Sequence, residues 1–213
     1  MKAVSGLKVE EKRSKERPAT LASCLKLLGN GYVFAMVMAI FVYVGAEVCV
    51  SSGIPLFLKE NYQVDVNSSG LLGTGLFFLA LTIGRFSGGV ILSWMSPRKF
   101  FIATSFLSIV ALAGLFVPDR TVAVVSFFLA GLGFANIFPL AFSLTVESLP
   151  QFTNELSGLM VTAIVGGAIL PPLMGLVSDR SSVLIGFLVP IAAVVYITWT
   201  AFLNATPRAR VAK

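Results

Sequence analysis

Long apolar runs alternate with short polar interruptions along the chain. Six runs reach the roughly 20 apolar residues that a helix needs to cross a bilayer, at about 32–58, 70–95, 100–117, 121–143, 157–177 and 182–203. The interruptions "KENYQVDVNSSG", "SPRK", "PDR", "ESLPQFTNE" and "SDRSS" carry charges and turn formers that cannot rest in hydrocarbon. The pattern predicts an all-α integral membrane protein with six transmembrane helices. A basic cytoplasmic linker or tail over 1–31 would precede the helical domain over 32–203, and a second cytoplasmic tail over 204–213 would follow it. The first run is too long for the apolar core of a signal peptide, so it is read as a retained span.

A repeat adds internal order. "SGLLGTGLFF" at 69–78 aligns in its opening with "SGLMVTAIVG" at 157–166, an offset of 88 residues. The same offset lays the first span on the fourth and the third on the sixth. Three helices followed by three predict a 3+3 inverted repeat, because an odd count sends the second triplet into the membrane upside down. Inverted repeats of this kind mark secondary transporters.

Composition excludes a soluble domain: 56% of residues are hydrophobic and 12% charged. The net charge of +6 does not point to nucleic acid, since the bases sit at helix ends and tails. One side collects Lys2, Lys8, Lys12, Arg13, Lys15, Arg17 and Lys26, the loop bases Arg98 and Lys99, and Arg208, Arg210 and Lys213. The other side holds Lys59, Arg120 and Arg180. By the positive-inside rule both termini are cytoplasmic and the protein is multi-pass in the cell's inner membrane. Cys24 and Cys49 have neither disulfide nor metal spacing. The sequence has no histidine, no phosphate-binding GxxxxGK[ST] loop and no closely paired aspartates in its spans. No enzyme activity, cofactor or metal is therefore expected.

The polar residues inside the spans carry the functional signal. Tyr43, Glu47 and Ser51 recur every four residues, which places them in one stripe on the first helix. A charge near mid-span costs on the order of 3 kcal/mol. Glu47 should therefore face a bundle interior or a watery cavity. It either handles a ligand or proton, or hydrogen-bonds a neighbouring helix without any ligand. In the fourth span, Gly133, Asn136 and Ser143 are expected near one face, with Pro139 kinking the axis. Asn136 suits a hydroxylated ligand or, alternatively, ties two helices together. Gly166 and Gly167, ahead of Pro171, give the fifth span either close packing or a bendable gate. Arg85 lies about 13 Å from the Trp94 end of its run at 1.5 Å per residue. It either reaches toward the interface or binds an acid or a helix C-terminus inside the bundle. Gly84, Gly88 and Gly89 leave that helix smooth, and Arg98 and Lys99 fix the short loop beyond it.

Taken together, "YVGAEVCVSS" and "GRFSGGVIL…SPRK" resemble the seventh and eighth helices of a group of sugar permeases. "GLGFANIFPLAFSLTVE" and "SGLMVTAIVGGAILPPLMGLVSD" resemble its tenth and eleventh. The group is the fucose permease and glucose/galactose transporters of the major facilitator superfamily, and the likeness runs over about 32–203. It implies twelve helices in two six-helix halves, with sugar uptake coupled to protons. This chain would be the C-terminal half, and its first residues the linker between halves. The resemblance puts Glu47 at the acidic position of the seventh helix and Asn136 at the polar cavity position of the tenth. Arg85, Gly84 and Gly88 fall in a cytoplasmic-side motif. The implied partners are a sugar, protons, the lipid bilayer and either an absent N-terminal half or a second copy. A self-associating six-helix protein and a non-transporting remnant or scaffold are the competing readings.

Overall fold

The computed structural model describes residues 20–203 and, within the helix at 66–91, side chains from Gly73 onward. The basic tails that carry most of the orientation signal lie outside those residues. Ten α-helices are described: α1 (Leu21–Leu28), α2 (Gly31–Tyr62), α3 (Val66–Ile91), α4 (Pro97–Ala113) and α5 (Arg120–Phe134), then α6 (Ile137–Ser148), α7 (Thr153–Thr162), α8 (Gly166–Arg180), α9 (Val183–Gly186) and α10 (Leu188–Thr200). They form six segments long and apolar enough to cross a membrane, and no strand occurs among the described residues.

The boundaries depart from the apolar runs for identifiable reasons. Residues 21–28, expected within a linker, form α1, which Thr20 and Ser23 start with a reciprocal capping box. The first span begins where the Asn30 side chain accepts the N–H groups of Tyr32 and Val33 at 2.9 and 3.4 Å. It then continues to Tyr62, well past the apolar run, and stops at Gln63 in the left-handed region (φ 53°). Hydropathy marks only the part in lipid, whereas the helix runs on into water. The second span ends at Ile91 rather than 95, because a turn precedes Pro97, which opens α4 at a position where its missing N–H costs nothing.

Prolines act differently from span to span. Pro55 cannot donate to the Ser51 carbonyl, yet α2 continues through it as one helix. The Thr74 hydroxyl of α3 donates to that freed carbonyl at 3.1 Å. Pro139 likewise withdraws a donor from Ala135, and there the fourth span divides into α5 and α6 at Ala135–Asn136. The fifth span passes through a 3-10 turn at Ala163–Val165 between α7 and α8, six to eight residues before Pro171, and Pro171 and Pro172 then withdraw donors from the Gly167 and Ala168 carbonyls.

Packing follows the expected repeat. The second span lies most intimately on the fourth (α3 on α5), and the fifth lies correspondingly on the first (α8 on α2). The third meets the fourth as the sixth meets the first, and the third and sixth meet each other. Exchanging the two triplets maps these pairings onto one another, whereas the contact of the fifth span with the sixth (α8 on α9 and α10) has no equally close counterpart between the second and third. Glycine makes both close crossings possible, since a Cβ on Gly131 would strike the Phe77 carbonyl and one on Gly166 the Phe41 carbonyl. In lipid such close packing, not escape from water, holds helices together. An edge-to-face cluster of Phe57 with Phe127 and Phe187, centroids 5.6 and 5.5 Å away, adds to it between the first, fourth and sixth spans.

Candidate substrate and proton site

Glu47 sits sixteen residues from Gly31 and fifteen from Tyr62, the middle of a helix about 48 Å long. One turn earlier on the same face, the Tyr43 hydroxyl donates to Glu47 Oε2. From α3, Arg85 Nη2 approaches Glu47 Oε1 at 3.9 Å. The two carboxylate oxygens therefore have different partners, a phenol and a guanidinium. Of the two options for Arg85, the bundle-side acid is the one realised, although its side chain remains 55% exposed while that of Glu47 is 21% exposed. A charge pair at this depth avoids the cost of an isolated carboxylate in hydrocarbon.

These groups line a cavity of about 320 Å³ together with Val44, Val48, Phe138, Pro139 and Ile164. The cavity thus draws walls from the first, second, fourth and fifth spans. Tyr43 is fully buried within it, with Phe134 and Phe138 at ring-centroid distances of 5.9 and 6.2 Å. Its hydroxyl also reaches the Phe134 carbonyl at 3.1 Å, at the end of α5 beside the break in the fourth span. A phenol, a carboxylate and a guanidinium around an apolar-floored cavity can bind hydroxyl groups and exchange a proton.

Other polar residues expected on the pathway are placed elsewhere. Asn136 is buried and donates from Nδ2 to the Gly84 carbonyl at 2.7 Å. Its Oδ1 occupies the space a Cβ on Gly88 would need. Asn136 thus joins the second and fourth spans, and it is not among the residues lining the cavity. Ser51 turns its hydroxyl back to the Val48 carbonyl at 3.1 Å, and its own carbonyl serves Thr74. The expected shared face of Gly133, Asn136 and Ser143 is not formed. Gly133 packs on Ser108 of α4 while Asn136 faces α3, and Ser143 donates to Glu147 within α6.

The expected packing positions divide similarly. Gly84 faces Ala135 and Leu132, and Gly167 faces Val44, but Gly89 meets nothing within 4 Å. Pro171 lies half-buried in α8. Arg98 donates to the Ala201 and Leu203 carbonyls at 3.1 and 3.2 Å, tying the second loop to the end of α10, while Lys99 is exposed. Sequence reasoning missed Phe134, Phe138, Val44, Val48 and Ile164. Val44 lies one turn from Glu47, a spacing that could have found it, whereas the other four need the tertiary arrangement.

A family model for the Major Facilitator Superfamily matches residues 10–213. The chain belongs to that superfamily. It is 33% identical over 166 residues to the glucose/galactose transporter of Brucella abortus, a match covering 76% of this chain and 40% of the relative. It is 30% identical over 149 residues to the L-fucose-proton symporter of Escherichia coli K12, covering 68% of this chain and 33% of the relative. Its fold matches the outward conformation of the transporter FucP with a TM-score of 0.79 at 24% identity, over 85% of this chain and 44% of that one. The chain spans less than half the length of the relatives it matches.

Proposed function

We propose that this chain forms the C-terminal half of a proton-coupled sugar transporter of the inner membrane, with both termini cytoplasmic. The observation that carries the reading is the mid-span grouping of Glu47, Tyr43 and Arg85 on a cavity of about 320 Å³. That volume is at the lower end of small-molecule sites, as suits one wall of a site completed by another half. Glu47 and Tyr43 carry the proton and the hydroxyl contacts. Asn136 and Ser51 hold the neighbouring helices in register around them. Gly84, Gly88, Pro139, Gly166, Gly167 and Pro171 permit the helices to approach and rock, and Arg98 with Lys99 anchors the cytoplasmic loop.

The partner half is supported by the outer surface. The second and fifth spans are the least buried of the six. Each carries glycines that meet nothing within 4 Å, Gly75 and Gly89 on one, Gly158 and Gly175 on the other. Such faces suit close approach by another helical unit. The glucose/galactose and fucose-proton relatives support a hexose-like substrate taken up with protons.

A counterflow panel tests the substrate class. Proteoliposomes would hold this chain together with the part of the Brucella abortus relative that it does not cover. Labelled glucose, galactose and fucose would be compared with an amino acid and a nucleoside. Exchange of at least one sugar well above both controls is expected. Equal, background exchange of all five would overturn the sugar reading.

A further inference from the structure

The Tyr43 hydroxyl has one proton and two acceptors within reach, Glu47 Oε2 and the Phe134 carbonyl. The phenol can donate to only one of them at a time. When Glu47 is a carboxylate, it is the stronger acceptor and takes the phenolic proton. Arg85 stands at Oε1, so a proton arriving from the cavity is placed on Oε2, away from the guanidinium. The new carboxyl O–H then donates to the Tyr43 oxygen, and the phenolic O–H turns to the Phe134 carbonyl. One proton enters from the cavity and none leaves the phenol.

From this we infer that Tyr43 reads the protonation state of Glu47 and transmits it to the break between α5 and α6. The Phe134 carbonyl ends α5, and Pro139 has already taken a donor from the adjacent Ala135 carbonyl. This is the place in the fourth span where one added hydrogen bond has most effect on backbone opening. Protonated Glu47 closes the break; ionised Glu47 releases it. Every element around the carboxyl is otherwise non-titrating: α3 supplies Arg85, α6 supplies Phe138 and Pro139, and the turn before α8 supplies Ile164. Tyr43 is a positioning residue here, passing the state of Glu47 to a main-chain carbonyl of another span. The inference rests on Glu47 as the proton-carrying group of the proposed transporter.

Hydrogen exchange in the full chain, held in lipid nanodiscs, tests it without sugar or partner. The reporter is the peptide covering residues 135–140, corrected for intrinsic exchange and measured across whatever pH range takes the Glu47 carboxyl from protonated to ionised by infrared spectroscopy. The carboxylic-acid infrared band lost in Glu47→Gln follows the titration in parallel. In the unmodified chain exchange should rise about fivefold as Glu47 ionises, the factor expected from one hydrogen bond. Tyr43→Phe should show the fast rate at every pH. Glu47→Gln, whose amide can still donate to the phenol, should show the slow rate at every pH. Loss of the pH step in both variants supports the relay. An unchanged step in either variant, or no step in the unmodified chain, overturns it. Because the readout needs no transport, failure of the relay leaves the sugar reading standing, and failed counterflow leaves the relay testable.

Discussion

Glu47→Gln is expected to abolish proton-driven sugar accumulation by the proposed two-half transporter while leaving the fold intact. An imposed gradient of one pH unit can sustain about tenfold accumulation when one proton moves with each sugar, since tenfold corresponds to about 1.4 kcal/mol. Glutamine preserves the volume of Glu47 and its contact with Tyr43, but it cannot bind and release a proton. It also leaves the Arg85 guanidinium, 3.9 Å from the carboxylate, without a counter-charge. Accumulation should therefore fall from about tenfold to unity. Downhill exchange, measured as counterflow, should persist at a reduced rate. Arg85 is half in the open cavity, so solvent screens the stranded charge and a large loss of stability is not expected. Undiminished accumulation by Glu47→Gln would remove this residue from the proton pathway.

The second large effect concerns architecture. A methyl group on Gly166 would run into the Phe41 carbonyl, with the adjoining carbonyl carbon at 2.7 Å and Cα at 3.1 Å. All three are backbone atoms, so relief requires α2 and α8 to separate. Overpacking of this kind costs about 3 kcal/mol, and in a protein of this size that lowers Tm by roughly 6–12 °C. Gly166→Ala should show such a fall in a detergent melting curve. Gly175→Ala, on the same helix but with nothing within 4 Å, should melt at or slightly above the unmodified temperature. The comparison isolates the close crossing from the general loss of a helix glycine. Similar melting of both variants would show that the first and fifth spans do not meet where the structure places them.

Hydropathy and charge made the six spans legible because a bilayer imposes one demand on every span, a long apolar surface with its backbone bonds satisfied internally. The offset repeat was legible from the shared "SGL" opening at 69 and 157 and not from the close crossings, since at that offset Gly131 falls on Tyr43 and Gly166 on Phe78. Helix ends were less legible, as they depend on caps such as Asn30 and on where water begins. The cavity was half legible. Glu47 announced itself by cost, and Tyr43 followed from the four-residue spacing. Asn136 illustrates the opposite case, because an amide in an apolar helix looks the same whether it meets a ligand or a carbonyl. Only the position of Gly84 and Gly88 across the interface decides for the carbonyl. Phe134 carried no sequence signal at all, since its contribution is a main-chain oxygen exposed by a break.

Pro55 shows how the same residue type misleads in the other direction. Its place in an apolar run suggests a kink, yet Thr74 supplies the donor that the helix lacks. The helical breaks fall instead around Pro139 and before Pro171. Both interrupted spans line the cavity, through Phe138 and Pro139 in one and Ile164 in the other. Helical breaks beside a mid-membrane cavity are where irregular backbone is tolerated and where secondary transporters move.

The most direct test of the half-transporter proposal is uptake of labelled galactose into proteoliposomes under an inward proton gradient. One preparation holds this chain alone, at a density below one copy per vesicle. The other pairs it with the part of the Brucella abortus relative that it leaves uncovered. The paired preparation should accumulate galactose, and the single chain should match empty vesicles. Accumulation by the single chain at that dilution would contradict the proposal, because one six-helix wall would then suffice to carry the sugar.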